Sequence, residues 1–265
     1  MNTKSRITSL LKTATLDSAV TGFPTFDLSR LELPTVLDFE LPTNLRLGHL
    51  AEKIVSHLIQ SSMNYKVVYE NIQILEQLKT IGELDFIIED IENNQLIHLE
   101  LAYKFYLFDP SISTQTTYNW IGPNRNDSLM EKLDKLKTKQ FPLLYHPCTA
   151  SQLADVDVKT VSQALCLLVS LFVPYDFNPI LPPVYQKAIK GYYLNLETFI
   201  SLDCADKSYF LPSKTAWGID PQENEMWYDY HTIKDQLAVN MSEKQAPLCW
   251  QKQKGNYIAF FIVWW

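Results

Sequence analysis

Gly82-Glu83-Leu84-Asp85-Phe86 and Leu99-Glu100-Leu101-Ala102-Tyr103-Lys104 are the stretches whose reading decides the fold. Side chains alternate across a strand, so His98, Glu100, Ala102 and Lys104 share one side while Leu99, Leu101, Tyr103 and Phe105 share the other. In the first stretch Leu84, Phe86 and Ile88 take one face, and Glu83, Asp85, Ile87 and Glu89 the opposite one. A tight turn at Glu92-Asn93-Asn94-Gln95, pairing 92 with 95, sets Asp85 opposite Ala102 and diagonal to both Glu100 and Lys104. Diagonal neighbours on one face lie roughly 7–8 Å apart, near enough for two carboxylates to converge on one cation with the lysine stem reaching the same space. The same register sets Glu83 directly across from Lys104, and a surface ion-pair network is the alternative reading of these charges.

Around this hairpin the composition is that of a globular protein. The chain has 265 residues, of which 46% are hydrophobic and 20% charged, enough for one large domain or two smaller ones. A net charge of −7 argues against coating nucleic acid by charge alone. The stretch from Arg125 to Lys139 is nevertheless locally basic, so Arg125, Lys132 and Lys135 are candidates for holding a nucleic-acid backbone, or form a solvated helix face. The N-terminal Met1-Asn2-Thr3-Lys4-Ser5-Arg6 leads into sequence too broken for a signal peptide, so a cytoplasmic location is expected. The apolar run Ala164–Val173 is far shorter than the ~20 residues that span a bilayer and stops at Pro174; it reads as a buried helix, and no membrane partner is expected. Cys148, Cys166, Cys204 and Cys249 are dispersed without a Cys-x-x-Cys pair and read as reduced, structural thiols.

Residues 1–44 carry Pro24, Pro34 and Pro42 without periodicity and read as an N-terminal wrapping arm. Residues 45–173 form the expected α/β core, a mixed sheet flanked by helices, and 174–265 an aromatic-rich α+β extension packed on it. From Leu47 a helical stripe of Leu47, Leu50, Ile54 and Leu58 has Glu52 at its edge, half-sheltered over a sheet or simply on the surface. Strands are expected at Tyr65–Tyr69 and Ile72–Leu75. A helix should start near Ser128, with Asp127 as competing cap, and on it Leu129, Leu133, Leu136 and Gln140 share a face. A glutamine on a buried stripe must find hydrogen-bond partners: a phosphate, a metal-bound water, an active-site lysine, or the core itself. In the C-terminal part, strands are expected at Tyr192–Leu196, Tyr209–Leu211 and Tyr257–Trp265, and a helix at Tyr230–Met241.

Phosphodiester hydrolysis needs a water deprotonated near neutral pH and charge stabilised on the departing oxygen, and Mg²⁺ or Mn²⁺ held by a few hard oxygens supplies both. Asp85 and Glu100 are the candidate ligands, with the Leu101 carbonyl as a third, and Lys104 the group that positions water or stabilises charge. A helix glutamate, Gly-Glu-x-Asp on one strand, a Glu…Lys strand and a helix ending in Gln resemble the PD-(D/E)XK nuclease superfamily over roughly residues 45 to 142. The strings Gly82–Phe86, Glu100–Leu107, Ile121–Asp127 and Leu211–Lys214 more narrowly resemble an uncharacterised bacterial family, a domain of unknown function placed in that superfamily. The resemblance implies a restriction-endonuclease-like core, with Glu52, Asp85, Glu100 and Gln140 at superfamily positions and DNA or RNA as substrate. The lysine departs from the pattern: the usual position holds Ala102, and Lys104 lies one strand period further on, about 6–7 Å away. A catalytically silent nucleic-acid-binding or scaffold protein of the same fold is the alternative.

Overall fold

Alternating apolar and polar residues around the acidic hairpin do form strands, and the computed structural model, which describes residues 3–42, 44–153, 155–202 and 205–265, sets them in a large mixed sheet flanked by helices. In chain order the strands are β1 (Ala14–Thr15), β2 (Tyr65–Glu76), β3 (Lys79–Asp90), β4 (Gln95–Phe108), β5 (Trp120–Ile121), β6 (Ser162–Pro174), β7 (Ile189–Asn195), β8 (Ser208–Phe210), β9 (Leu248–Gln253) and β10 (Asn256–Val263). Two compact units can be separated: one holds Thr15–Tyr103 and Glu131–Leu168, the other the stretch ending at Ala14, Lys104–Met130 and Val169–Trp265. Strands β4 and β6 contribute residues to both.

In the first unit the hydrogen-bonded order is β2-β3-β4-β6, antiparallel across β2-β3 and β3-β4. The expected strand pieces at Tyr65–Tyr69 and Ile72–Leu75 are one continuous strand, β2, interrupted only by register shifts at Val67/Tyr69 and Ile74/Leu75. It turns into β3 through Gln77 and Leu78, both at positive φ (47° and 66°), the backbone that a two-residue hairpin requires. The helix Leu47–Ser61 buries Leu50, Ala51, Ile54, Val55, Leu58 and Ile59, the stripe its sequence spacing announced. Ile74, Leu84, Ile87, Leu143, Leu144 and Leu153 form one packed cluster of the core. Each such side chain contributes about 1.5–3 kcal/mol on burial.

Two expectations are corrected here. The run Ala164–Val173 is not a helix but the body of β6, with Ala164 to Phe172 all buried. A strand covered on both faces reads as an unbroken apolar run, so periodicity cannot separate it from a buried helix segment. The stretch 1–44 is more than an arm with turns: it carries a helix, Thr3–Leu11, and β1, and the Leu16 and Phe26 amides bond the Leu167 and Leu165 carbonyls of β6. That helix buries only Ile7 and Leu10, too few apolar positions to show a period.

In the second unit the order is β6-β7-β10-β9-β8, parallel across β6-β7 and β7-β10 and antiparallel thereafter. Gly191 on β7 faces Ala259 on β10 so closely that a Cβ there would meet the Ala259 carbonyl oxygen at 1.8 Å. The helix Tyr230–Ser242 forms where expected, capped by Asp229 accepting from the Thr232 amide (2.8 Å), and buries Ile233 and Leu237 against Phe199, Tyr209 and Phe260. Cys148, Cys166 and Cys249 are free thiols, and Cys204 lies outside the described residues. Among the described residues no helix is long and apolar enough to cross a membrane.

Candidate functional site

The loop between β3 and β4 sets the register. It is Ile91-Glu92-Asn93-Asn94, because the Asp90 carboxylate accepts from the Asn93 amide (3.2 Å) and its Nδ2 (3.0 Å), while Asn94 takes a positive φ of 49°. Asp90 therefore pairs with Gln95 and Phe86 with Leu99, two residues away from the register expected of a turn at 92–95. Continued, that register sets Asp85 across from Glu100 instead of Ala102. The ladder stops there: the Leu101 amide donates to Asp85 Oδ2 (2.8 Å).

Glu100 is fully buried and held by side chains on both oxygens. His98 Nε2 lies 2.9 Å from Oε1, and Gln140 Nε2 donates to Oε2 at 2.5 Å. Gln163 Nε2 donates to His98 Nδ1 (3.1 Å) and to the Phe141 carbonyl (2.8 Å), which leaves the His98 proton on Nε2, pointed at Glu100. The Phe141 ring stands edge-on to the imidazole, 5.6 Å between centroids. Gln140 closes a π-helical turn, Leu136–Gln140, that continues the helix Leu129–Lys135, and its Oε1 accepts from Lys132 Nζ at 2.9 Å. Leu129, Leu133 and Leu136 are buried on the expected stripe, and of the partners conceived for Gln140 the structure supplies a lysine and the carboxylate beside it.

Burial pushes the Asp85 carboxyl up to about 8, with the neighbouring Glu100 charge the next contribution and Glu52 adding to it. The Leu101 amide and Lys132 oppose the shift without overcoming it. Glu52 is on the helix Leu47–Ser61, its side chain 21% exposed, with His49 Nδ1 3.0 Å away. Five residues thus share one locality in the first unit: Glu52, Asp85, Glu100, Gln140 and Lys132.

The other candidates go elsewhere. Lys104 pairs with Asp127 (2.8 Å) in the second unit, not with Glu83, and a Cβ on Gly122 would collide with that same Asp127 carboxylate. Arg125, at a positive φ of 57°, is 3.1 Å from Asp109 and lies over the Trp265 ring at 4.5 Å. Lys135 is exposed on the helix, while Lys132 donates to Gln140. Leu101 contributes its amide to Asp85. His98 and Gln163 were passed over in the sequence. The signal for His98 was its place two residues before Glu100 on the same strand face, whereas Gln163 had none.

Whether these residues suit a divalent cation is a question of donor chemistry. Asp85 and Glu100 are hard oxygen donors whose mutual repulsion already disfavours ionising both, and among the described residues Asp85 Oδ1 carries no protein donor. No three His, Cys, Asp or Glu side chains among the described residues are grouped to hold a metal. The set fits an ion that takes one or two carboxylates and keeps several waters, as Mg²⁺ does.

No curated protein and no solved structure matches this chain. A family model, that of a domain of unknown function (DUF1853), matches residues 7–257, and the chain belongs to that family.

Proposed function

We propose that the Asp85–Glu100 cluster is the site of a cation-dependent phosphodiesterase of the PD-(D/E)XK kind, built on a restriction-endonuclease-like core and acting on DNA or RNA. The observation that carries this reading is the convergence of two carboxylates from adjacent strands with the Lys132–Gln140 pair from one helix. Mg²⁺ or Mn²⁺, when bound, supplies polarisation of the phosphate and acidification of a water. Asp85 and Glu100 hold it. His98 and Gln140 fix the Glu100 carboxylate in place, and Glu52 adds negative potential beside Asp85. The Lys132 ammonium, steadied by Gln140, offsets charge on the phosphate oxygens. It takes the role that the strand pattern would give to residue 102, since Lys104 is committed to Asp127.

One observation favours a second reading. Both Glu100 oxygens already carry protein donors, as in a buried polar network that holds a fold together without chemistry. The deciding experiment measures cleavage of labelled single-stranded, duplex and branched substrates with and without Mg²⁺ or Mn²⁺. It compares the native chain with Asp85→Asn, Glu100→Gln and Lys132→Met, alongside calorimetric titration of the cation. Cleavage lost in all three variants, with cation binding lost only in the carboxylate pair, supports hydrolysis. No cleavage and no cation binding by the native chain sinks it in favour of the silent scaffold.

A further inference from the structure

The second unit carries a half-open cavity of about 450 Å³ that takes no part in the carboxylate cluster. Its size is within the range of small-molecule sites. Three features make it a built site. First, Ser170 on β6 lines it, is only 4% exposed, and its hydroxyl has no hydrogen-bond partner among the described residues. That hydroxyl is not among the buried polar atoms left without a partner, so it opens onto the cavity, where it offers a ligand one donor and an acceptor.

Second, Lys190 lines the cavity because of a bulge. Leu171 pairs with Ile189 and Phe172 with Gly191, so Lys190 is the extra residue of β7, displaced from the strand's regular alternation. Lys12, just beyond the helix Thr3–Leu11, reaches the same cavity, and neither ammonium has an ion-pair partner among the described residues. Asp220 is the acid in the lining, and its carboxylate is taken up by the Gln222 amide at 3.1 Å. In a chain of net charge −7, two uncommitted cations on one cavity point to an anion. Third, Trp250 on β9 adds a half-buried indole with no ring partner among the described residues, a surface for a planar ring.

We infer that this cavity binds a nucleoside monophosphate, with its phosphate toward Lys12 and Lys190, its base against Trp250, and a polar atom bonded to the Ser170 hydroxyl. The inference needs neither a divalent cation nor cleavage, so it stands or falls apart from the proposed hydrolysis.

Calorimetric titration of the full chain in EDTA with AMP, GMP, CMP and UMP tests it, with the matching nucleosides and inorganic phosphate as fragments. At least one monophosphate should bind, and its two fragments should each bind at least about tenfold more weakly. Lys12→Gln and Lys190→Gln should each weaken binding by about tenfold, as loss of a charge-assisted contact does, and Ser170→Ala severalfold. Both lysines are exposed, so their variants should fold, which circular dichroism checks. A 5′-phosphorylated trinucleotide that competes marks a strand end as the natural source, and failure to compete marks the free nucleotide. No binding of any of the four at millimolar concentration, or undiminished binding in the Lys12→Gln/Lys190→Gln double variant, overturns the inference.

Discussion

Replacing Asp85 by asparagine should stabilise the cation-free protein at alkaline pH and flatten its pH dependence. The folded chain holds the Asp85 carboxyl near 8, against an ordinary value of 3.8, chiefly through burial and then through the Glu100 charge. Between those values the folded state keeps a proton that the unfolded chain releases. Stability from this group is therefore complete below about pH 4, falls as pH rises toward 8, and levels off above it. Each pH unit is worth about 1.4 kcal/mol, so the whole window amounts to at most about 6 kcal/mol, and relaxation of the cluster around Lys132 should leave about half of that. Asparagine cannot ionise, and its side-chain oxygen still accepts the Leu101 amide. Urea unfolding followed by circular dichroism at pH 5, 6, 7 and 8 would show the native curve falling and the variant's remaining flatter, the gap at pH 8 amounting to about 2–3 kcal/mol. Millimolar Mg²⁺ should close the gap by stabilising the native chain alone. Parallel curves would refute the reasoning, because they would mean that Asp85 titrates as an ordinary aspartate.

Gly191→Ala should destabilise by at least about 3 kcal/mol, since a Cβ 1.8 Å from the Ala259 carbonyl oxygen forces the two strands apart; a native midpoint in urea would contradict this. Exchanging Gln77-Leu78 for Asn-Gly should raise stability by about 1 kcal/mol by relieving two side-chain-bearing residues at positive φ, and an unchanged midpoint would argue against that turn geometry. Lys104→Met should cost under about 1 kcal/mol, because its pair with Asp127 is about a third exposed. It should also leave cation titration unaltered, whereas Lys132→Met should remove cleavage; the reverse ranking in a cleavage assay would restore the strand lysine to the chemistry.

Local sequence determined a good deal. Alternation fixed which residues of Gly82–Asp90 and Leu96–Lys104 share a face, and the apolar stripes of Leu47–Ser61 and Leu129–Gln140 are the buried faces observed. Asp85 and Glu100 could be singled out because alternation sets two carboxylates on one face of a hairpin, Glu52 because it edges an apolar helical stripe, and Gln140 because an amide on such a stripe demands a partner. These are short-range signals, carried by periods of 2 and 3.6 residues.

Tertiary structure decided the rest. The Asp90 side chain bonds to Asn93, lengthens the loop and slides Asp85 across from Glu100, a choice that strand alternation cannot distinguish because a two-residue shift preserves every face. Whether Ala164–Val173 would be helix or strand depended on neighbours on both sides of β6. Which lysine accompanies the carboxylates depended on Asp127 taking Lys104 and a π-helical turn setting Gln140 against Lys132, contacts between residues that sequence spacing does not relate. A chain's own periodicity specifies which side chains are turned inward, and only the packing of separate elements specifies which of them meet.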